Sequence, residues 1–286
     1  MVKVDANYFK IRVYAFDLAE VGSWWDFKRH ISPFTRIFLI KEGEQRVRFQ
    51  GEEIWQRAGD LCLVPPYLPV DYYCPDYCAQ YYFIFSCQFP SGKDLLTDYT
   101  TNYRMPCSDF HETSCERLLE VLPDFGLLST DARRDDFNQL IFAKSLGELS
   151  VEQKLAAQGA VGSLMAPFCQ DLQRRAGSLR FAEALQYIES HLAADLSLGV
   201  LAELEGLSPT YFSDQFFAYA GVRPTEYIAR KRENRAKELL TSTRMPLQEI
   251  ASAVGLADVA YFSRFFKKRS GSSPLNYRKK HAMTDL

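Results

Sequence analysis

Along the first hundred residues, short β-branched and aromatic runs alternate with polar positions and are broken by Gly, Gly-Asp and Pro-Pro. RIFLIKEGEQRVRFQGEEIWQRAGDLCLVPPYLPVDYY (36–73) carries this pattern throughout, and YYFIFSCQF (81–89) adds an aromatic strand fit to face a core or a cavity. Strands at close spacing with no helical period between them predict a small barrel or sandwich over residues 1–110. From about His111 the period changes. SCERLLEVLPDFGLL (114–128) and RRDDFNQLIFAKSLGELSVEQKLAAQGAVGSLMAPF (133–168) place apolar residues three and four apart. That spacing predicts amphipathic helices across 111–170. DLQRRAGSLR (171–180) is polar and carries Gly and Ser, which predicts a linker. Residues 181–286 are helical apart from turns at Gly206, Gly221, Pro246, Gly255 and Gly271.

The helical part repeats itself. YFSDQFFAYAG (211–221) and YFSRFFKKRSG (261–271) share one frame at a spacing of fifty residues. Upstream, Leu198, Leu201, Ala202 and Gly206 match Leu247, Ile250, Ala251 and Gly255. Ser208 and Asp258 stand where a side chain caps the second helix of each copy, and Pro209 suits a first helical position. Phe212/Phe216 and Phe262/Phe266 lie at i, i+4 and face inward. Gly221 and Gly271 stop the helices, and Pro224 and Pro274 follow. A short helix, a turn with Gly, and a helix with one aromatic face make a helix-turn-helix, here at about 196–221 and 245–271. Such a unit lays its second helix in the major groove of DNA. The outward positions are Thr210, Ser213, Asp214 and Phe217 in one copy, and Ala260, Ser263, Arg264 and Lys267 in the other. Residues 224–240 predict one long helix joining the copies. A purely structural αα-repeat is the alternative, but such repeats come in threes or more.

Charge sharpens this picture. The whole chain of 286 residues has a net charge of −2. Residues 1–177 carry 19 Lys+Arg against 24 Asp+Glu, or −5, and residues 178–286 carry 15 against 12, or +3. Val259 to Lys280 holds seven basic residues and no acidic one, an electrostatic footprint for a polyanion. No apolar run reaches the roughly 18–20 residues of a membrane helix, and the start lacks the apolar stretch of a signal peptide. A cytoplasmic protein with no membrane partner is therefore expected. The seven cysteines (Cys62, Cys74, Cys78, Cys87, Cys107, Cys115 and Cys169) are odd in number and loosely spaced, which predicts reduced thiols. Cys74-x-x-x-Cys78 lacks a second pair or a nearby His to complete a metal site.

Residues 178–280 resemble the DNA-binding domain of the AraC/XylS family of bacterial transcription regulators. The resemblance runs through YIARKRENRAKELL and MPLQEIASAVGLADVAYFSRFFKKRSGSSPLNYR, with both units in register. It implies two helix-turn-helix units docked in successive major grooves on one face of promoter DNA. Carried over, the DNA-facing set is Ser208, Thr210, Ser213 and Asp214, then Val259, Ala260, Ser263, Arg264, Lys267 and Lys268. The first unit departs from the family, in which a basic residue is common at the place of Asp214 and Lys at Phe217 or Ala218. Asp214 either accepts from cytosine N4 or marks a weak reader. The weak reading is preferred, because the unit lacks phosphate-neutralising cations and should add little salt dependence.

Residues 1–90 resemble, less strongly, the cupin-like effector barrel of such regulators, over the Gly43 and Gly51 hairpins and Ala58-Gly59-Asp60-Leu61-Cys62-Leu63-Val64-Pro65-Pro66. The expected fold is thus α+β: a cupin-like β-barrel (1–110), a helical dimerisation element (111–170), a linker (171–180) and an all-α DNA-binding domain (181–286). Enzymatic cupins hold a metal with His-rich clusters. His30, His111, His191 and His281 occupy none of those positions, so a metal, a cofactor and catalysis are all unexpected. Aromatic and cationic residues could line the interior, with Arg36, Lys41, Tyr72, Phe83 and Phe85 as the chosen ligand set. Stacking rings plus a few polar groups suit a sugar, and the alternative is that the aromatics simply fill the barrel. The resemblance implies a homodimer, contact with RNA polymerase, and activation as the commoner habit. The expected function is a regulator of genes for uptake or breakdown of a small molecule, a sugar being favoured. The rivals are a metal-dependent cupin isomerase or oxygenase fused to DNA-binding helices, and a regulator governed by a protein partner.

Overall fold

The computed structural model describes residues 10–89, 93–123, 125–127, 149–175 and 179–281, which fall into two compact units divided in sequence between Leu179 and Arg180. The helical expectation over 133–148 lies outside the described residues.

The first unit is built on one eight-stranded sheet. Its strands are β1 (Lys10–Gly22), β2 (Asp26–Ile31), β3 (Thr35–Phe49), β4 (Glu52–Arg57), β5 (Asp60–Val64), β6 (Pro69–Tyr73), β7 (Tyr77–Gln88) and β9 (Arg104–Pro106). The fifteen-residue β3 organises the rest. Its first half lies between β7 and β5, with Arg36 opposite Ile84 on one side and Val64 on the other. Its second half lies between β4 and β6, with Val47 opposite Ile54 and Tyr72. The change of partners follows a bulge between Ile40 and Glu42, then Gly43 at φ 74°. A Cβ at Gly43 would collide with the Tyr77 carbonyl, so the bend requires glycine. The pairing folds the sheet over on itself but, among the described residues, does not close it into the expected barrel. The cupin-like character holds, while β1, β9, β4 and β2 remain the ends of the pairing.

One face of β7 carries Gln80, Tyr82 and Ile84 and the other Tyr81, Phe83 and Phe85, and both faces are buried. Helix α1 (Leu95–Asp98) leads to β8 (Tyr99–Thr100), and α2 (Asp109–Val121) packs on α3 (Val151–Gln170), which lies against β1. Gln158 Nε2 donates to the Ile11 carbonyl at 3.0 Å. Within the expected linker, β10 (Gln173–Arg174) pairs with β8, tying those residues to the first unit. All seven cysteines are free thiols. No helix of the described residues is long and apolar enough to cross a membrane.

The second unit contains α4 (Ala182–Ser190), α5 (Leu198–Leu204), α6 (Pro209–Ala220), α7 (Pro224–Ser242), α8 (Leu247–Ala253), α9 (Val259–Ser270) and α10 (Pro274–His281). The copies agree in detail. The rings of Phe212 and Phe216 meet at a tilt with centroids 5.6 Å apart, and those of Phe262 and Phe266 at 5.9 Å, all fully buried. Tyr227 edges onto Phe216 at 5.5 Å, as Tyr277 does onto Phe266 at 5.4 Å. Each turn closes with the same bond, Leu207 N–H to the Ala202 carbonyl and Leu256 N–H to the Ala251 carbonyl. Gly221 and Gly271 end their helices at φ 77°. The starts differ. Asp258 accepts from the N–H groups of Ala260 and Tyr261, at 2.7 and 3.0 Å. The Ser208 side chain makes no such bond, contrary to expectation. Pro209 at the first position presets φ and removes one orphan donor there.

The connecting helix α7 holds both copies. Arg232 donates to the carbonyls of Leu192 and Ala194, and Lys231 pairs with Glu189. Arg269, from the end of α9, reaches Glu226 at 2.9 Å and Glu233 at 2.7 Å. Gly255 fits against this junction at φ 71°, and a Cβ there would meet the Leu192 carbonyl at 2.5 Å and the Arg232 guanidinium at 2.7 Å.

Two outcomes are expected. Gly255→Ala should destabilise the second unit by about 3 kcal/mol or more, because backbone must move as well as adopt a strained φ. Its counterpart Gly206→Ala meets open space and should cost about 1–2 kcal/mol. Urea unfolding of both variants measures the difference. Glu226 is held at about 2 against its usual 4.5, chiefly by its hydrogen bonds from Arg269 and then Arg230. A folded pKa below the unfolded one gives stability that is complete above pH 4.5 and is lost as pH falls towards 2. Glu226→Gln should flatten the pH dependence of stability in that window while lowering stability at pH 7.

Candidate functional site

Helices α6 and α9 expose one face each. Ser208, Thr210 and Asp214 are exposed on the first and Ser213 is half-buried. On the second, Ala260, Arg264, Lys267 and Lys268 are exposed, with Val259 and Ser263 half-buried. This follows from the inward Phe pairs: with Phe212 and Phe216, or Phe262 and Phe266, pinned to the core, the flanking positions must turn out. Every residue chosen for DNA contact therefore lies on the outer face of its helix or at that helix's start.

The basic run from 259 to 280 divides by role. Arg269 is turned onto α7, and Arg278 donates to the carbonyls of Leu240 and Met245. Arg264, Lys267 and Lys268 hold no ion pair among the described residues and form the open cationic face of α9. The first copy is not without a cation. Arg223, at the start of α7, comes back onto α6. Its Nη1 donates to Asp214 Oδ1 at 2.5 Å and to Ser213 Oγ at 3.1 Å, and its guanidinium lies over the Phe217 ring. Asp214 is thus already an acceptor for arginine, which corrects the view of the first unit as lacking positive charge. A lone Arg nine residues from its partner carries no periodic signal. Alignment of the two copies, with Arg223 against Ser273, is the only sequence clue to it.

In the first unit the chosen ligand set separates. Arg36 and Tyr72 face the inside of the folded sheet. Tyr72 is fully buried, with its ring 6.2 Å from Phe38, 5.8 Å from Trp25 and 6.5 Å from Phe27. Arg36 is 5 % exposed, and its guanidinium lies beside the Tyr72 hydroxyl and reaches His30 Nε2 at 3.1 Å. Burial lowers the Arg36 pKa, an effect countered by Tyr72, and raises that of Tyr72, countered by Arg36. Phe83 and Phe85 lie on the opposite face, opposite Ile37 and Thr35, and Phe83 packs on Phe16 at 4.4 Å. Lys41 shares that side, bonding the Tyr81 hydroxyl at 3.4 Å and Glu116 of α2 at 3.7 Å. The five residues are therefore not one site: Lys41, Phe83 and Phe85 lie on the face that bears Tyr81, away from Arg36 and Tyr72.

The interior holds polar groups that the chosen set omitted. Gln45 Nε2 donates to Gln56 Oε1 at 2.7 Å and to Gln80 Oε1, and all three side chains are buried. Gln45 Oε1, Gln56 Nε2 and Trp25 Nε1 are buried without a hydrogen-bond partner among the described residues. Donors and acceptors left over beside aromatic rings are what a hydroxylated small molecule can satisfy. The alternating pattern of β3 and β4 already placed Gln45 and Gln56 on an apolar face, and that was the available signal. Among the described residues no group of three His, Cys, Asp or Glu is placed to hold a metal ion.

Comparison with known proteins agrees with both halves. The profile of the AraC-like ligand binding domain matches residues 13–135, and that of a helix-turn-helix domain matches residues 201–280. The arabinose operon regulatory protein of Escherichia coli (strain K12) is 39% identical over 247 residues, covering 84% of this chain and 78% of its own. The MmsAB operon regulatory protein of Pseudomonas aeruginosa is 28% identical over 248 residues, covering 85% and 75%. Among solved structures, the C-terminal domain of AraT, a response regulator from Geobacillus stearothermophilus, is 36% identical with a TM-score of 0.37, covering 38% of this chain and 91% of that one.

Proposed function

The chain belongs to the AraC family of transcription regulators, and from that premise we propose that a sugar or related polyhydroxyl compound, bound inside the folded sheet, governs how its two helix-turn-helix units engage promoter DNA. The observation that carries the effector class is the buried interior of the folded sheet, where Arg36, Tyr72, Trp25 and the Gln45–Gln56–Gln80 cluster bring polar groups against aromatic rings. The relative that regulates an arabinose operon supports the same class. The genes controlled are those for uptake or breakdown of that compound, and the protein acts in the cytoplasm without catalysing a reaction.

In this reading α9 is the anchoring helix, with Ser263 and Arg264 at base edges and Lys267 and Lys268 at phosphates. Thr210 and Ser213 serve the first unit. The protein acts as a homodimer. Phe110 is 65% exposed on α2, and Val151 and Leu155 are 74% and 64% exposed on α3, an apolar surface that supports pairing through this element. Ligand must favour one arrangement of the dimer over another, and activation proceeds through contact with RNA polymerase.

Two experiments test the reading. A thermal-shift screen of pentoses, hexoses and sugar acids should find a compound that raises the melting point of the full chain. The stabilisation should be about 2.7 kcal/mol at a hundredfold excess over Kd. Arg36→Ala should lose it, with Gln45→Glu as a second interior variant, and a screen in which no sugar shifts the wild type overturns the effector class. In the second, duplexes selected from a random-sequence library by the full chain are titrated across salt. Arg264→Ala should cost roughly 1–3 kcal/mol of binding, and Lys267→Ala should lower the salt slope by about one. Unchanged affinity and slope in both would remove α9 from the interface.

A further inference from the structure

Between the two copies a cation has changed place. Asp214 stands where Arg264 stands, and Arg223, two residues beyond the helix-ending Gly221, stands where Ser273 stands. In the folded unit Arg223 returns to the recognition helix. Its Nη1 bonds both Asp214 Oδ1 and Ser213 Oγ, and its guanidinium carbon lies 5.1 Å from the centre of the Phe217 ring. The ion pair is open to water, with the Arg223 and Asp214 side chains 51% and 60% exposed, so it adds little to stability. Its effect is directional. A carboxylate on one side and a ring beneath hold a long, otherwise mobile side chain against the outer face of α6.

We propose that Arg223 is the DNA-contacting cation of the first helix-turn-helix unit, presenting its guanidinium to acceptor oxygens of the duplex, and that Asp214 and Phe217 are positioning residues that aim it. The proposal rests on the DNA-binding reading of α6 and α9. A guanidinium held through one terminal nitrogen still has a planar edge for a two-bond contact, to a phosphate or to the O6 and N7 of guanine. Direct reading of cytosine by Asp214 fits less well, because one of its oxygens is already committed to arginine. The same arrangement explains how an acidic residue can sit on a recognition helix: its charge is matched before DNA arrives. Phe217, 48% exposed where the second copy has Lys267, is explained too, as the surface on which the guanidinium lies.

The test uses the full chain and duplexes selected by the wild type from a random-sequence library, with affinity measured across a salt series. Arg223→Ala should lower affinity about tenfold and reduce the salt slope by about one. Arg223→Lys should restore the slope; restored sequence preference as well assigns a phosphate contact, and lost preference a guanine edge. Asp214→Asn should weaken binding and blur preference in the same half-site, and should have no further effect once Arg223 is Ala. A merely structural role would move none of these readouts. Tighter binding by Asp214→Asn, or a normal affinity and slope for Arg223→Ala, overturns the proposal. Arg264→Ala in the same series separates the two levels: if it weakens binding while Arg223→Ala does not, only the assignment of Arg223 fails. If neither matters, the DNA-facing reading of both helices fails with it.

Discussion

The C-terminal unit depends on the clamp between Arg269 and the carboxylates of Glu226 and Glu233. Two recognition helices can work on one duplex only if their separation is fixed, because major grooves on one face recur once per helical turn. A connector nineteen residues long supplies the span, but a helix alone leaves its ends free to rotate. Arg269 ties the end of α9 to the first and third turns of that connector, and Arg232 ties its middle to the loop before α5. Gly255 is small because the second turn closes directly over this junction. The clamp removes Arg269 from the exposed basic face. The basic run of the sequence is thus two populations: residues that hold the helix and residues available on its surface.

A different constraint shapes the first unit. Its long central strand serves two sheet halves, and the bend at Gly43 brings the β7 face bearing Gln80 towards the glutamines of the second half. Packing density then favours apolar filling everywhere, yet Arg36, Gln45, Gln56 and Gln80 are kept inside. Buried polar groups of this kind lower stability unless something satisfies them. Their bonds to one another and to His30 meet part of that need, and Gln45 Oε1 and Gln56 Nε2 are left over among the described residues, which supports the proposed effector site.

Much of this was legible in the chain. The i, i+4 Phe pairs, the turn glycines and the helix-stopping Gly221 and Gly271 fixed both helix-turn-helix units, since each feature has a single local cause. What escaped depends on tertiary direction. On a strand buried on both faces, period-two alternation gives no sign of which face is the interior, so Phe83 and Phe85 were grouped with Tyr72 although they point the other way. Lys41 sits at a bulge, where counting alternate residues fails. Aromatic content does not single out the Gln45–Gln56 pair, whose signal is polar residues on an apolar strand face. Arg223 lies outside the recognition helix, and Arg269 shares the charge of its neighbours but not their direction.

The two copies therefore differ less in charge than their recognition helices suggest. The second carries its cations on the helix, where Arg264 projects directly and Lys267 and Lys268 stand beside it. The first brings one in from the following helix and seats it on Asp214 and Phe217. A side chain fixed by an exposed ion pair is held weakly enough to be redirected by ionic strength or by competition from phosphate, whereas one rooted on the helix face is not. Under the proposed contacts, the adjustable one lies in the unit nearer in sequence to the effector-binding half, and the second unit, braced by Arg269, supplies the constant one.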